Sequence, residues 1–502
     1  MTLHRTSRWP LAAFTCATLA AGAQPAWAQT TPGDNSISGS SPPGGLPQNA
    51  EPAAPGDTYL AGVWKRSNLL GDMGGLRSLL GDYGITIGLQ ETSEVLGNVT
   101  GGVQKGFVYA GVTLLGVGVD TGKAFGLEGG TLNISAFQIH GGNLGLQNLR
   151  SLQTPSGIVA APSTRLWELW YQQLFTGGDA DVKIGRQSID QEFDVSSGAS
   201  LFLNTMLGWP VTSTYGLYGG GPTYPLSSVG LRLRARPTGA LTLLAGAFDD
   251  NPTGGTFNDN SQLRGNARYG TRFNFNTGAL FIAEAQYAVN QPSNGDIVQP
   301  SQASDSDLIR LPGTYRLGAW FDTASFNNQR YDAAGGSLAD PASNGVPGQI
   351  RRNFSLYGVV DQTVWRPDPA KVRSVSLFVR ANGAPGDRNL VEFSLNAGLV
   401  LKAPLPGRDG DTFGVAYGLA KVSGAARGLD KDTAFYSGGP YQRRSSESFV
   451  EVTYQIQVNQ WWQVQPDFQY VFMPGGGIPN PYFPRQRISN EAVFGVRTNI
   501  TF

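Results

Sequence analysis

Cysteine is nearly absent: Cys16 is the only one in 502 residues, and there are only two histidines, His4 and His140. A disulfide framework and a Cys-based metal site are thereby excluded. Charge is sparse and balanced, with 37 basic against 37 acidic residues and 15% of the chain charged, which argues against a nucleic-acid partner. Hydrophobic residues make up 40%, a low share for a large soluble domain. Beyond the first 28 residues no apolar run is long enough for a transmembrane helix. No nucleophile elbow, phosphate loop or metal-ligand cluster stands out, so no enzyme and no cofactor are implied.

Glycine and aromatics, by contrast, are plentiful: 68 Gly, 25 Phe, 18 Tyr and 10 Trp. The opening stretch carries Arg5 and Arg8, an apolar run from Leu11 to Ala23, and Ala26-Trp27-Ala28. That order predicts a secretory signal over 1–28. Its removal would leave 35 basic against 37 acidic residues. Residues 29–70, rich in Pro, Gly and Ser from Gln29 to Gly56, read as a flexible leader. Leu76, Leu79 and Leu80 recur at helical spacing, predicting one short periplasmic-side helix over 71–83.

From residue 84 to 502 the pattern changes to strict alternation. Val450, Val452, Tyr454, Ile456 and Val458 share one parity, and Glu451, Thr453, Gln455 and Gln457 the other. Successive strand side chains point to opposite faces, so each such segment has an oily and a wet side. Sixteen segments follow this pattern, near 84–96, 106–119, 129–140, 166–176, 180–189, 227–236, 240–249, 278–289, 313–324, 352–364, 372–381, 389–401, 412–422, 447–458, 460–472 and 488–502. Their connections alternate between tight turns, such as Thr176–Ala180 and Arg236–Ala240, and long loops, such as 141–165, 190–226 and 423–446. The segment 290–312 is long on the turn side.

An even strand count with alternating short and long connections predicts an all-β fold, a 16-stranded transmembrane antiparallel barrel whose oily faces meet lipid and whose wet faces enclose a lumen. Trp461 and Trp462 stand where an interfacial aromatic girdle belongs. The leader is too short for the globular plug of a large energised receptor.

The stretches "GDMGGLRSLLGDYGITIGLQETSEVLGNVTGG" (71–102), "KIGRQSIDQEFDVSSGASLFLNTMLGWP" (183–210) and "GGPTYPLSSVGLRLRARPTGALTLLAGAFDDNP" (220–252) occur in order at fitting distances. Together they resemble the carbohydrate-selective porin family, often called OprB. The resemblance runs over nearly the whole chain beyond the leader, although Met73 stands where the family usually has Trp and 290–312 departs from the common pattern. It implies an outer-membrane porin in a Gram-negative bacterium that lets glucose and related sugars or polyols diffuse passively into the periplasm. A general or anion-preferring porin is the alternative, and a structural barrel or adhesin a more distant one. The implied partners are small sugars and the lipid bilayer, with homo-oligomerisation left open.

A sugar pore needs hydroxyl partners and flat apolar surfaces. Arg232, Arg234 and Arg236 alternate with Leu231, Leu233 and Ala235, forming a lumenal ladder that suits hydroxyls or carboxylates, or that pairs with acidic residues to brace the wall. Parity places Glu168 and Trp170 on the lumenal side, with Trp167 outward; Arg316 and Trp320 form a similar pair. Glu284, Glu392, Glu451 and Arg497 also read as inward, with Gln286 and Asp467. The aromatic-rich loop 190–226 follows the fifth strand, and Phe193, Asp194, Phe202, Asn204, Trp209 and Tyr215 are its candidates for a constriction. Parity directs Arg186 toward lipid, which requires either a bulge or an interfacial position.

Overall fold

A strand in hydrocarbon has no water for its N–H and C=O groups, so only a closed sheet satisfies them all. The computed structural model describes residues 62–290 and 311–502, apart from 258, 260, 369, 370 and 440. It contains such a sheet. The strands are β1 (Ile85–Thr100), β2 (Gly106–Asp120), β3 (Gly130–Gly141), β4 (Ser163–Phe175), β5 (Ala180–Gln187), β6 (Ser228–Ala235), β7 (Leu241–Asp249), β8 (Ala279–Val289), β9 (Gly313–Asp332), β10 (Pro347–Trp365), β11 (Ser374–Gly383), β12 (Val391–Lys402), β13 (Thr412–Val422), β14 (Ser446–Asn459), β15 (Trp462–Phe472) and β16 (Glu491–Thr501). Each pairs antiparallel with its sequence neighbours, and β1 pairs with β16 in a seam running from Gln90↔Thr501 to Thr100↔Ala492.

The oily parity faces outward. Leu317 and Leu356 are 71% and 61% exposed to the surroundings, and Val360, Leu377, Val379, Phe494 and Val496 share that outer surface. At the periplasmic end, Leu69 N–H donates to Thr501 O, and the short helix Leu76–Asp82 places the Arg77 guanidinium on Phe502 O. Trp461 and Trp462 stack there with ring centroids 6.1 Å apart, and Trp461 Nε1 donates to Val63 O.

Several sequence expectations are corrected. β9 and β10 continue well beyond 324 and 352, because their outer ends stand in water, where Ser325, Asn327, Asn328 and Arg330 give no oily alternation. The helix Gly424–Tyr436 occupies the loop 423–446 and rests on that hairpin through Arg330–Asp432 contacts of 2.8 and 2.9 Å. In β4 the register slips between Ser135 and Ala136 of β3, and the bulge turns Trp167 inward, against Phe137 at 4.4 Å. In β12 a slip between Val391 and Phe393 buries Val391 and turns Glu392 to the outer rim, where Lys421 pairs with it at 2.8 Å. Glu392 therefore does not line the lumen.

Arg186 does lie on the outward parity, opposite Leu169, and the expected bulge is absent: the β4–β5 register runs through it unbroken. It stands one residue from the end of β5 and is covered by the loop 250–278, donating to Arg272 O at 2.7 Å. Gly270 of that loop, at φ 69°, approaches Leu166 so closely that a Cβ would stand 1.8 Å from its carbonyl oxygen. The expected signal 1–28, most of the leader 29–70 and the interior of the insertion 290–312 lie outside the described residues.

If the oily faces meet lipid, Val379→Arg, at the middle of an outward row, destabilises the barrel by about 2–4 kcal/mol in denaturant unfolding from lipid vesicles. An unchanged midpoint would place that face against water.

Candidate functional site

Two long external loops fold back into the lumen. The segment between β3 and β4 reaches the far wall, where Leu152 N–H and Gln153 N–H donate to the Glu447 carboxylate at 2.7 and 2.6 Å. Ser156 Oγ donates to Glu94 on β1 at 2.5 Å, and Gln469 on β15 reaches Pro155 O at 2.8 Å. Gly475, at φ 65°, folds a third loop so that its N–H also reaches Glu447, at 2.6 Å. The segment between β5 and β6 crosses the same space and meets inward side chains of β8 through β12 and of β14.

Its path follows from local chemistry. Asn204 accepts from Met206 N–H and starts the single turn Thr205–Gly208, and a second turn, Val211–Gly216, follows. Its apolar residues pack on apolar residues that point inward from the wall. Phe193, Trp209 and Leu217 meet Trp320, Tyr357, Leu244 and Phe248. Phe202 lies 5.7 Å from Phe378, and Leu201 and Leu207 join Phe378, Val400 and Phe449. Part of the lumen is thus a hydrophobic core. Strict reading of one parity as wet missed it, because Phe378 and Phe449 share the parity of Arg380 and Glu451.

Most of the predicted lining residues turn out to hold the loops. Glu168 accepts from Ser188 N–H at 3.0 Å. Glu284 accepts from Asp194 N–H at 2.7 Å and Tyr357 OH at 2.8 Å. Glu451 accepts from Leu203 and Asn204 N–H at 2.5 and 3.1 Å. Arg497 pairs with Glu94, and Trp320 Nε1 donates to Ser213 Oγ at 3.0 Å. Arg316 pairs with Asp361 at 2.7 Å, and Asp361 accepts from Ser196 Oγ and the N–H groups of Ser197 and Gly198. Phe193, Phe202 and Trp209 are buried in the packing just described, and Tyr215 packs beside Val391. Asn204 Nδ2 reaches Gln469 at 3.0 Å, and Asn382 donates to the Asp194 carboxylate at 2.5 Å.

Arg380, not singled out in the sequence, is the loop's main clasp. Its guanidinium is fully buried and donates to the carbonyls of Asp194, Met206, Leu207 and Gly208 at 2.7–3.0 Å. Leaving such carbonyls unpaired costs about 1–3 kcal/mol each.

A second group was half legible. Cross-strand pairing sets Arg232 opposite Lys183 and Arg234 opposite Asp181. Arg232 contacts Asp181 and reaches Glu192 Oε2 at 2.7 Å, Arg234 contacts Asp181, and Lys183 contacts Glu192. Lys183 Nζ stands 4.7 Å from the Trp170 ring centroid. Three cations meet two anions at the root of the infolded loop. Burial raises the Glu192 pKa, but the charges of Arg232 and Lys183 outweigh it and bring the pKa down to about 2. Arg234 is the more open of the two paired arginines, 12% exposed, and Arg236 is half-buried beyond it. Asp181, Lys183 and Glu192 went unrecognised because a forty-residue loop hides the β5–β6 register.

The sequence pattern of the family described as "Carbohydrate-selective porin, OprB family" matches residues 104–502. The chain belongs to that family. It is an outer-membrane porin of a Gram-negative bacterium, selective for carbohydrates. Porin B of Pseudomonas aeruginosa is 26% identical over 462 residues, covering 86% of this chain and 91% of that one. The putative porin QuiX of Acinetobacter baylyi is 24% identical over 436 residues, covering 82% and 89%. The solved structure described as the high pH structure of Pseudomonas putida OprB superimposes with a TM-score of 0.75 at 23% identity, covering 88% of this chain and all of that one, and shares its fold.

Two outcomes follow for this porin. Arg380→Met releases the loop and raises single-channel current noise in planar bilayers, whereas parental noise would rule out a clasp. Burial pushes the Asp194 carboxyl up to about 7, against the Arg380 charge and helped by Glu284, and pushes Asp190 up to about 6. An undocked aspartate titrates near about 3.9. The docked loop thus holds protons on these two aspartates that the free loop releases, so their contribution to docking is full below about pH 4 and is lost as pH rises through about 6 to 7. Current noise should grow between about pH 5 and about pH 8, and Asp194→Asn should flatten the change.

Proposed function

We propose that sugars cross this porin by passive diffusion through the water left between the two infolded loops and the β5–β6 wall. The loop 188–227 sets the bore, and Arg234, the most open member of the cluster, meets sugar hydroxyls while the buried Asp181, Lys183, Glu192 and Arg232 hold it in place. The observation that carries this reading is the charged cluster at the root of a loop tied to the opposite wall. A guanidinium held in place by a buried carboxylate presents fixed donors to vicinal hydroxyls. Neither end of the exchange makes or breaks a covalent bond, and the reading assigns the chain no enzymatic role. The narrow, preset bore favours glucose-sized sugars and polyols over longer chains.

One observation favours an anion preference as a second reading: the cluster carries one more cation than anions. Swelling of liposomes holding the purified porin separates the two. Glucose entering several times faster than a disaccharide, and faster than a charged solute of its own size, supports the sugar reading; faster entry of the anion overturns it. Deleting Gly198–Pro222 should raise conductance severalfold and abolish the size preference. Unchanged conductance would remove the loop from the bore.

A further inference from the structure

The outer rim of the β9–β13 wall carries positive charge that the protein itself leaves unpaired. In β10 the register is broken between Arg351 and Asn353, and Arg352 stands in that bulge at φ 71°, a left-handed conformation uncommon for a residue other than glycine. Arg351 lies opposite Ser325, whose neighbours Ala324 and Phe326 are buried on the inward parity, so its side chain is directed outward. Both arginines are exposed. Arg388, from the loop joining β11 and β12, pins the bulge: its Nη1 donates to the carbonyls of Arg351 and Arg352 at 3.3 and 2.6 Å. A backbone held in this region persists only where its surroundings enforce it.

The acidic side chains beside them are already engaged. Asp387 accepts from Arg388 at 2.8 and 3.0 Å, and Glu392 from Lys421 at 2.8 Å, with Arg427 at 3.9 Å. Among the described residues no carboxylate pairs with Arg351 or Arg352. What lies beneath fixes the level of the rim. Just toward the periplasm, Phe354, Phe321 and Phe281 stand in register on the outward face of β10, β9 and β8, all exposed. Phe393 of β12 is opposite Lys421 of β13 on that same face. Below this aromatic row come the exposed Leu356 and Leu317. Aromatic rows of this kind mark the edge of the hydrocarbon, so the arginines stand among the head groups of the outer leaflet.

We propose that this rim binds lipopolysaccharide, the phosphorylated glycolipid of the outer leaflet. Its phosphates meet Arg351, Arg352 and Lys421, and its acyl chains lie along the phenylalanine row and the leucines beneath. Charge complementarity selects this occupant. Guanidinium groups take phosphate oxygens through paired N–H donors, and basic side chains at a membrane surface draw anionic head groups. Arg388 is a positioning residue: it holds the bulge that turns two neighbouring arginines toward the lipid, where strict alternation would send one of them inward. The proposal is independent of which solute crosses the lumen.

Native mass spectrometry of the full chain in mild detergent tests it, with rough-type lipopolysaccharide, the same glycolipid stripped of its phosphates, and phosphatidylglycerol as probes. The parent should hold the phosphorylated glycolipid at least about tenfold more tightly than the stripped form, and added salt should release it. Arg351→Gln with Arg352→Asn and Lys421→Gln should lose that preference while conductance stays unchanged, since all three residues lie outside the lumen; asparagine tolerates the left-handed backbone at 352. Lys105→Gln, an exposed cation between β1 and β2, should bind as the parent does. Equal retention of the two glycolipid forms by the parent overturns the proposal without recourse to any variant. So does equal retention of phosphatidylglycerol, or a folded triple variant that binds as the parent does.

Discussion

Everything in this molecule depends on pairing backbone groups where no water can reach them. The wall meets that demand by closing β1 on β16, and once it is closed, the oily outward side chains meet lipid while inward ones are free to do something else. The infolded loops face the same demand at close quarters. Their N–H and C=O groups leave bulk water and are met by side chains of the wall: Glu447, Glu451, Glu284 and Glu168 accept from them, and Arg380 donates to them.

This inverts the simple picture of a porin lumen. Inward carboxylates and arginines suggest solute contacts, yet in this chain most are already engaged by the protein's own backbone. The charged groups around Arg232 and Arg234 differ in that they pair with other side chains at the root of the loop, three cations against two anions, with Arg234 the most open. A porin that is selective needs both kinds: saturated groups to hold the obstruction still, and exchangeable ones to meet what passes.

The parts legible in the sequence are those governed by a local period. Sixteen strands, the outward parity of β13 and β14 and the alternation of turns with long loops all follow from a two-residue repeat and its interruptions. The repeat failed where its cause was absent. The outer ends of β9 and β10 run beyond the oily band, and single-residue bulges near Trp167 and Glu392 reverse parity without changing composition. Arg380 and the Lys183–Glu192–Arg232 contacts join residues far apart in the chain across long loops, so no local pattern marks them.

By itself, the amino-acid order determined which faces are oily and how many times the chain crosses, because strand geometry ties neighbouring side chains to opposite sides. Only the tertiary structure decided which inward groups are spent on holding loops. That choice depends on where two long loops land inside the closed wall, and their landing points are set by packing across the lumen.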